Sequence, residues 1–434
     1  MANIELAAIL LIALCLLLAG GLWIGLSLMI TGYLAMMAVA DVPIGKVLAT
    51  KAWDSGASWT LAALPLFIWM GEILFRTRLS EEIFRGLAPW LNWLPGRLMH
   101  VNVLGCGIFG SVSGSSAATC ATIAKIALPE LKKRGYDDNV SLGSLAGAGT
   151  LGILIPPSIT MIVYAVAADV SIIQLFLAGF LPGFLIMALY SGYIAGWALL
   201  NPGKTPASDP HMSFREKVRE SRNLIPVTLL ILLVFASLVF GWATATECAA
   251  WGVVGSLLIA WWSGMLSWQS FWDSVMGTVK VNAMIMLILA AASFLSAGMA
   301  YTGIPKGLAE WVASFNLSPY ALIGALTIMY MLLGTALDGI SMIVLTTVVV
   351  LPLIKQAGFD LVWFGIFMIM VIEMAEVSPP VGFNLFVLQT MSGRDSMEVA
   401  RAALPFFFLL VIAVAIITIW PEIVMVVPRW AFDG

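Results

Sequence analysis

From Ile4 to Val427 the chain is a succession of apolar stretches, most of them long enough to cross a bilayer. They fall at about 4–20, 22–39, 58–75, 140–168, 172–199, 223–241, 244–263, 274–300, 361–390 and 403–427, roughly ten spans. A backbone in lipid must satisfy its own hydrogen bonds, so this pattern predicts an all-α polytopic membrane protein. Only 10% of the 434 residues are charged, against 61% hydrophobic, and a soluble chain of this size has no use for such a ratio. The net charge of −3 argues against a nucleic-acid partner. Cys15, Cys106, Cys120 and Cys248 are scattered and His100 and His211 lie far apart, so neither a disulfide framework nor a metal site of the usual spacing is expected. Ile4–Gly20 has no basic residues ahead of it and reads as a retained helix rather than a cleaved signal.

Two further stretches, about 98–131 and 317–356, are apolar but carry Gly, Ser, Thr or Asp at mid-length. Each reads as two short arms meeting at a polar tip, a re-entrant hairpin. The chain also repeats itself at an offset of 223 residues: Leu128-Pro129 falls on Leu351-Pro352, Gly135 on Gly358, Asp137 on Asp360, and Pro156-Pro157 on Pro379-Pro380. This divides the chain into a first repeat with its leading helices (1–200), a connector (201–222) and a second repeat (223–434). The connector's Pro/Ser/Asp start and basic finish suit a flexible strand that becomes an interfacial helix.

Placing Arg76, Arg78, Arg85 and Arg97 in the cytoplasm puts Lys132, Lys133 and Arg134, the connector, and Arg394 and Arg401 on that side too. Lys46, Lys51, Lys306, Lys355 and Arg429 then lie outside, as the positive-inside rule requires. The first hairpin enters from the cytoplasm and the second from outside, so the repeats are inverted and both termini are external. Tryptophans near span ends, among them Trp53, Trp93, Trp261, Trp262 and Trp430, form an interfacial belt. "LAPWLNWLPG" and "GLAEWVASF" read as amphipathic arms ahead of the two hairpins.

The double prolines remove ladder bonds in mid-span and free nearby carbonyls. One break packed on a neighbour is a plain kink. Two at matched positions, beside Gly147, Gly149, Thr150, Gly152 and Ser158 and beside Ser378 and Gly382, point to an ion or substrate site. The first tip, "GSVSGSSAAT" (Gly110–Thr119), clusters hydroxyls at a bend where unwound carbonyls attract a cation and helix N–H groups attract an anion. Close packing of small residues is the alternative there. The second tip, "GTALDGIS" (Gly334–Ser341), adds Asp338, a hard oxygen ligand for sodium or a proton carrier, and equally a helix N-cap. Glu373 and Glu376 stand one turn apart before Pro379 and share a face. They suit ion coordination or a structural pairing with Lys280 or a backbone N–H. No histidine or nucleophile accompanies them, which argues against catalysis. Asn384 is a polar group able to reach the same space. Glu72, four residues before Arg76, reads as half of a helix-end ion pair.

"GSVSGSSAATCATIAKIALPELKKRGYD", "AGAGTLGILIPPSITMIVY", "LGTALDGISMIVLTTVVVLPL" and "SPPVGFNLFV", in that order, resemble the large membrane (M) subunit of tripartite ATP-independent periplasmic (TRAP) transporters. The resemblance covers essentially the whole chain. It implies a sodium-driven, elevator-type importer in a bacterial inner membrane, with no cofactor beyond Na+. A periplasmic substrate-binding protein (P subunit) delivers a ligand, usually an organic acid, and a separate small four-helix membrane subunit (Q subunit) braces the scaffold. By the same resemblance one sodium lies between Gly110, Ser113 and Gly149, Thr150, Pro156. A second lies between Gly334, Thr335, Asp338 and Ser378, Pro379. Substrate sits near Ser115, Ser116 and Asn384. Ala375 and Glu376 stand where that family usually has Gly and an apolar residue, and Lys125 is an added charge in the first hairpin. A stand-alone sodium–dicarboxylate or citrate carrier of similar architecture, an intramembrane enzyme and a channel are the competing readings.

Overall fold

The computed structural model describes residues 2–39, 42–57, 59–206, 212–315, 318–335, 337–379 and 382–433. Among the described residues every regular element is a helix. The leading helices are α1 (Ala2–Ala19), α2 (Ile24–Val39), α3 (Ile44–Gly56), α4 (Ala63–Phe75) and α5 (Leu79–Leu91). The first hairpin is α6 (Met99–Ser113) and α7 (Ser116–Lys133), the first broken helix α8 (Asp138–Leu154) and α9 (Ile159–Ala168), followed by α10 (Ile172–Leu200). The connector contributes α11 (Phe214–Ser221), and α12 (Ile225–Val239), α13 (Ala245–Trp262), α14 (Trp268–Thr302) and α15 (Ile304–Ser314) follow. The second hairpin is α16 (Pro319–Leu333) and α17 (Gly339–Gln356), the second broken helix α18 (Leu361–Val377) and α19 (Phe383–Ser392), then α20 (Ser396–Ile419) and α21 (Glu422–Asp433).

The offset seen in the sequence has a structural cause. α7 and α17, and α8 and α18, start and stop 223 residues apart. Each repeat reverses direction at a glycine in the left-handed region, Gly135 (φ 79°) and Gly358 (φ 80°), where a Cβ would be strained. Each then starts its broken helix on an aspartate cap. Asp137 accepts from the N–H groups of Asn139 and Val140 at 3.0 and 3.1 Å, and Asp360 from those of Val362 and Trp363 at 2.7 and 3.0 Å. Such a cap is worth about 1 kcal/mol. Contacts between the halves are reciprocal: α7 packs on α19 and α17 on α9, while α8 packs on α20 and α10 on α18.

α8 from Val140 to Leu154 and α18 from Val362 to Val377 are buried on all faces, so these two broken helices form the centre of the molecule. Around them α14 packs on α2, α3 and α4, and α13 on α4 and α12. At 1.5 Å per residue α14 runs about 52 Å, well beyond a hydrocarbon core of about 30 Å.

Among the described residues six helices are long and apolar enough to cross a membrane, seven when the bent pair α8–α9 counts as one. Others of the roughly ten expected spans are present as shorter apolar helices. α2 has 16 residues and α4 has 13, the latter behind a 3-10 turn over Trp59–Ala62. The stretch expected as one span over 403–427 is divided at Trp420 and Pro421 into α20 and α21. The chain is a multi-pass membrane protein by these lengths and compositions.

In the connector, His211 and residues 207–210 lie outside the described residues. α11 begins with a capping box, Ser213 and Glu216, and is docked on α5. The Trp90 indole N–H donates to the Ser221 hydroxyl (2.7 Å), which donates to the Gly86 carbonyl (2.8 Å).

Arg394, in the turn before α20, holds the start of α8 by a 2.7 Å pair with Asp138. Both partners are about a third exposed or more, so the pair contributes only about 0.2–1 kcal/mol. Arg394→Ala is expected to lower the thermal midpoint by no more than a few degrees, read from the melting curve in detergent. A collapse of stability would show that the pair anchors α8 in a way its exposure does not suggest.

Candidate transport cavity

The first tip is shaped by Gly114, whose φ of 61° lets α6 end and α7 begin two residues later. The Gly114 N–H closes on the Gly110 carbonyl at 2.9 Å. Ser115 caps α7, and the hydroxyls of Ser113 and Thr119 bond each other at 2.7 Å. Thr119 also donates to the Ser115 carbonyl at 2.8 Å. The hydroxyl cluster therefore spends part of its bonding on the tip itself. Glycines bring the tip against α8: a Cβ on Gly110 would lie 2.8 Å from the Gly152 Cα, and one on Gly152 2.6 Å from the Ser115 carbonyl oxygen.

The first break turns the chain by 45° between α8 and α9, across a cis Pro156-Pro157 bond. Ser158 repairs much of the damage. Its hydroxyl donates to the freed Ile153 carbonyl at 2.6 Å and accepts from the Met161 N–H at 3.3 Å, capping α9. At the second break, the Ser378 hydroxyl donates to the Ala375 carbonyl at 3.0 Å, and the Ser378 carbonyl accepts from the Gly382 N–H at 2.9 Å. Pro379 is exposed, and Pro380 lies outside the described residues.

Both tips and both breaks border one cavity of about 360 Å³. Ser113, Gly114, Ser115 and Ser116 line it from the first tip, and Asp338 and Gly339 from the second. Ile153, Ile159 and Thr160 flank the first break; Glu376 and Phe383 flank the second. The opposite wall is α4 and α14, through Gly71, Glu72, Val281 and Met284. Asp338 caps α17, and its carboxylate accepts from the Ser341 hydroxyl and N–H. Glu376 reaches the same space beside Ser116 and faces Asp338.

The other candidates sit behind this wall. Gly149 packs on Cys120, and Gly334 on Ala375, where a Cβ would come within 2.3 Å of the Ala375 Cβ. The Thr150 hydroxyl donates to the Gly147 carbonyl (2.8 Å) and the Thr335 hydroxyl to the Leu332 carbonyl (2.7 Å). Pro156 is buried. Asn384 is buried away from the cavity, its amide N–H directed at the Ala146 carbonyl of α8 at 3.4 Å. Ser115 and Ser116 therefore share a wall that Asn384 does not. Lys280 is exposed, and Glu373 is paired with neither Lys280 nor a backbone N–H.

Glu72 is the cavity residue that sequence reasoning missed. Its 3.0 Å pair with Arg76 is present as read, yet Glu72 also lines the chamber. The sequence signal lies in its depth: Glu72 ends a run of apolar residues from Leu61 to Gly71, where a carboxylate is costly.

Three comparisons agree with this architecture. A protein of Pseudomonas aeruginosa named "C4-dicarboxylate TRAP transporter large permease protein DctM" is 30% identical over 405 residues, 93% of this chain and 94% of that one. The "Isethionate TRAP transporter permease protein DctMQ" of Oleidesulfovibrio alaskensis is 28% identical over 93% of this chain, which spans 64% of that longer protein. Among solved structures, the Alcanivorax borkumensis YdaH transporter superposes with a TM-score of 0.67 over 95% of this chain and 97% of that one, at 11% identity, a likeness of fold alone. Both of these relatives are named as transporter permeases. Residues 11–423 match the family described as the DctM component of the tripartite ATP-independent periplasmic transporter, and the chain belongs to that family.

Proposed function

We propose that this chain imports a carboxylate-bearing organic solute together with sodium across a bacterial inner membrane, as the large permease subunit of its transporter. The observation that carries the reading is the shared cavity. The first tip offers hydroxyls and the α7 N-terminus to an anion, while Asp338 and Glu376 offer negative charge to a cation in the same cavity. Relatives named for C4-dicarboxylates support a carboxylate solute. Inward movement of each sodium is favoured by about 2.3 kcal/mol per 100 mV, enough for two ions to concentrate an anion substantially.

In this reading the hairpins and broken helices form the moving unit, and α4, α13 and α14 belong to the scaffold that walls the cavity. The reciprocal contacts of the two halves support inverted repeats, the first extending to about 200 and the second starting at about 223. In the same reading both termini lie in the periplasm, which the distribution of basic loops supports. A periplasmic substrate-binding protein hands over the solute, and a small membrane subunit braces the scaffold. The combined name of the isethionate relative, DctMQ, accords with such a second membrane component.

The test is uptake into proteoliposomes of the purified complex under a sodium gradient, with succinate as the first probe. Uptake should require both sodium and the binding protein. Uptake without binding protein would favour a stand-alone carrier, and flux that ignores sodium would favour a channel. The double variant Ser115→Ala, Ser116→Ala should reduce uptake about tenfold, because the cavity loses two hydroxyls that the tip's own bonds only partly occupy. Wild-type uptake would assign these serines to packing.

A further inference from the structure

Lys125 interrupts the apolar part of α7, between Ile123-Ala124 and Ile126-Ala127, and has no place in the transport cavity. It lies eight residues before the end of that arm at Lys133, about 12 Å along the axis. A lysine so far down an apolar arm keeps its ammonium in polar surroundings by running its stem toward the arm's end. Lys132, two turns on, lies on the same face. Both open into a second cavity of about 400 Å³, which shares no lining residue with the first. The start of α8 contributes Asp138 to it, and the turn after α19 contributes Arg394. Leu128 of α7 and Met391 of α19 give it an apolar wall.

The charges in this pocket do not cancel. Arg394 is held by Asp138 at 2.7 Å and by the Asn139 side-chain oxygen at 3.3 Å. Carboxylates on the same elements are taken as well, Asp137 by Lys204 at 3.6 Å and Glu130 by Arg134 at 2.7 Å. Among the described residues neither Lys125 nor Lys132 forms an ion pair, and both are exposed. The fold does not require them. The second repeat builds the same contact, α17 on α9, with Val348 in the place of Lys125 and Leu361 in that of Asp138. No arginine follows α9, where Asp169, Val170 and Ser171 lead into α10. Of the three cations only Lys132 has a counterpart, Lys355. An arm can therefore pack on a broken helix without a basic pocket, and the added charges serve something else.

We propose that this pocket binds the headgroup phosphate of an anionic phospholipid. Two uncompensated ammonium groups and a fixed guanidinium, set beside apolar side chains, match a phosphodiester that carries acyl chains. A free anion such as inorganic phosphate would meet the same cations but would gain nothing from Leu128 and Met391. It would also give up its water beside an apolar arm. Seated where α7, α8 and α19 meet, the lipid ties the first half of the chain to the second. This site stands on its own residues and not on the transport reading.

The experiment counts lipids on the purified full chain by native mass spectrometry, with dioleoylphosphatidylglycerol as the probe and dioleoylphosphatidylcholine as the neutral control. The wild type should bind the anionic lipid more tightly; equal affinity for the two overturns the proposal. The double variant Lys125→Val, Lys132→Gln should weaken the first phosphatidylglycerol about tenfold, while Lys355→Gln should leave it unchanged. Valine already stands at the matching place of the second arm, at Val348. Undiminished binding in the double variant, or an equal loss in Lys355→Gln, overturns the assignment to this pocket. Lys125→Met keeps the apolar stem and replaces the double variant should that misfold, with a several-fold loss expected and wild-type affinity overturning the site. Excess inorganic phosphate should leave the lipid bound. Its displacement by phosphate would make the pocket a free-anion site and overturn the lipid.

Discussion

Asp338→Asn is expected to leave the protein folded and to remove sodium-driven uptake, at least tenfold at sodium levels that saturate the wild type. The substitution separates two roles of one side chain. Asp338 caps α17 by accepting from Ser341, and Asn caps a helix as well as Asp does, so the helix start survives. What disappears is the negative charge on the cavity wall facing Glu376. A ligand loss worth about 1.4 kcal/mol already costs a factor of ten in affinity. Sodium-dependent uptake in proteoliposomes, with folding checked by size-exclusion and melting, is the measurement. Undiminished sodium dependence would remove Asp338 from the ion site. Asp338→Ala should add a stability loss of about 1 kcal/mol from the missing cap.

Gly152→Val should be more damaging still, to fold and function together. The first atom of any side chain at this position would sit 2.6 Å from both the Ser115 carbonyl oxygen and the Thr119 hydroxyl oxygen. One of these is backbone and cannot swing aside. The whole tip must lift off α8, and overpacking of this kind costs about 1–3 kcal/mol. The shift also reaches the serines of the cavity wall. A lowered melting temperature together with lost uptake is the expected result; wild-type stability would mean that the tip is not seated on α8 as described.

How far the sequence could be read varies with the physics behind each mark. The repeat was legible because its signposts are backbone devices with few substitutes. A left-handed turn calls for glycine at 135 and 358, and an aspartate two residues later caps the next helix. The hairpins were legible because a polar bend inside an apolar run is costly in lipid unless the chain turns back there, sheltered by protein or water. The ends of the helices were read less well, since hydropathy reports apolar length and not where a helix stops. The 3-10 turn before α4 and the division at Trp420–Pro421 leave no mark on an apolar average.

Side-chain direction was the hardest to read. α18 is buried on every face, so no polar side betrays which residues turn toward the cavity. Glu376 reaches the chamber, Glu373 one turn earlier does not, and Asn384 faces α8. Glu72 was hidden in another way, by a nearby arginine that by itself accounts for a carboxylate at that helix end.

The reciprocal packing of α7 on α19 and α17 on α9 ties the two halves of the chain to each other. Each half leaves part of its burial to the other, as in a handshake, so neither half completes its packing alone. In the transport cycle proposed above, the same interlock would make the two tips travel together.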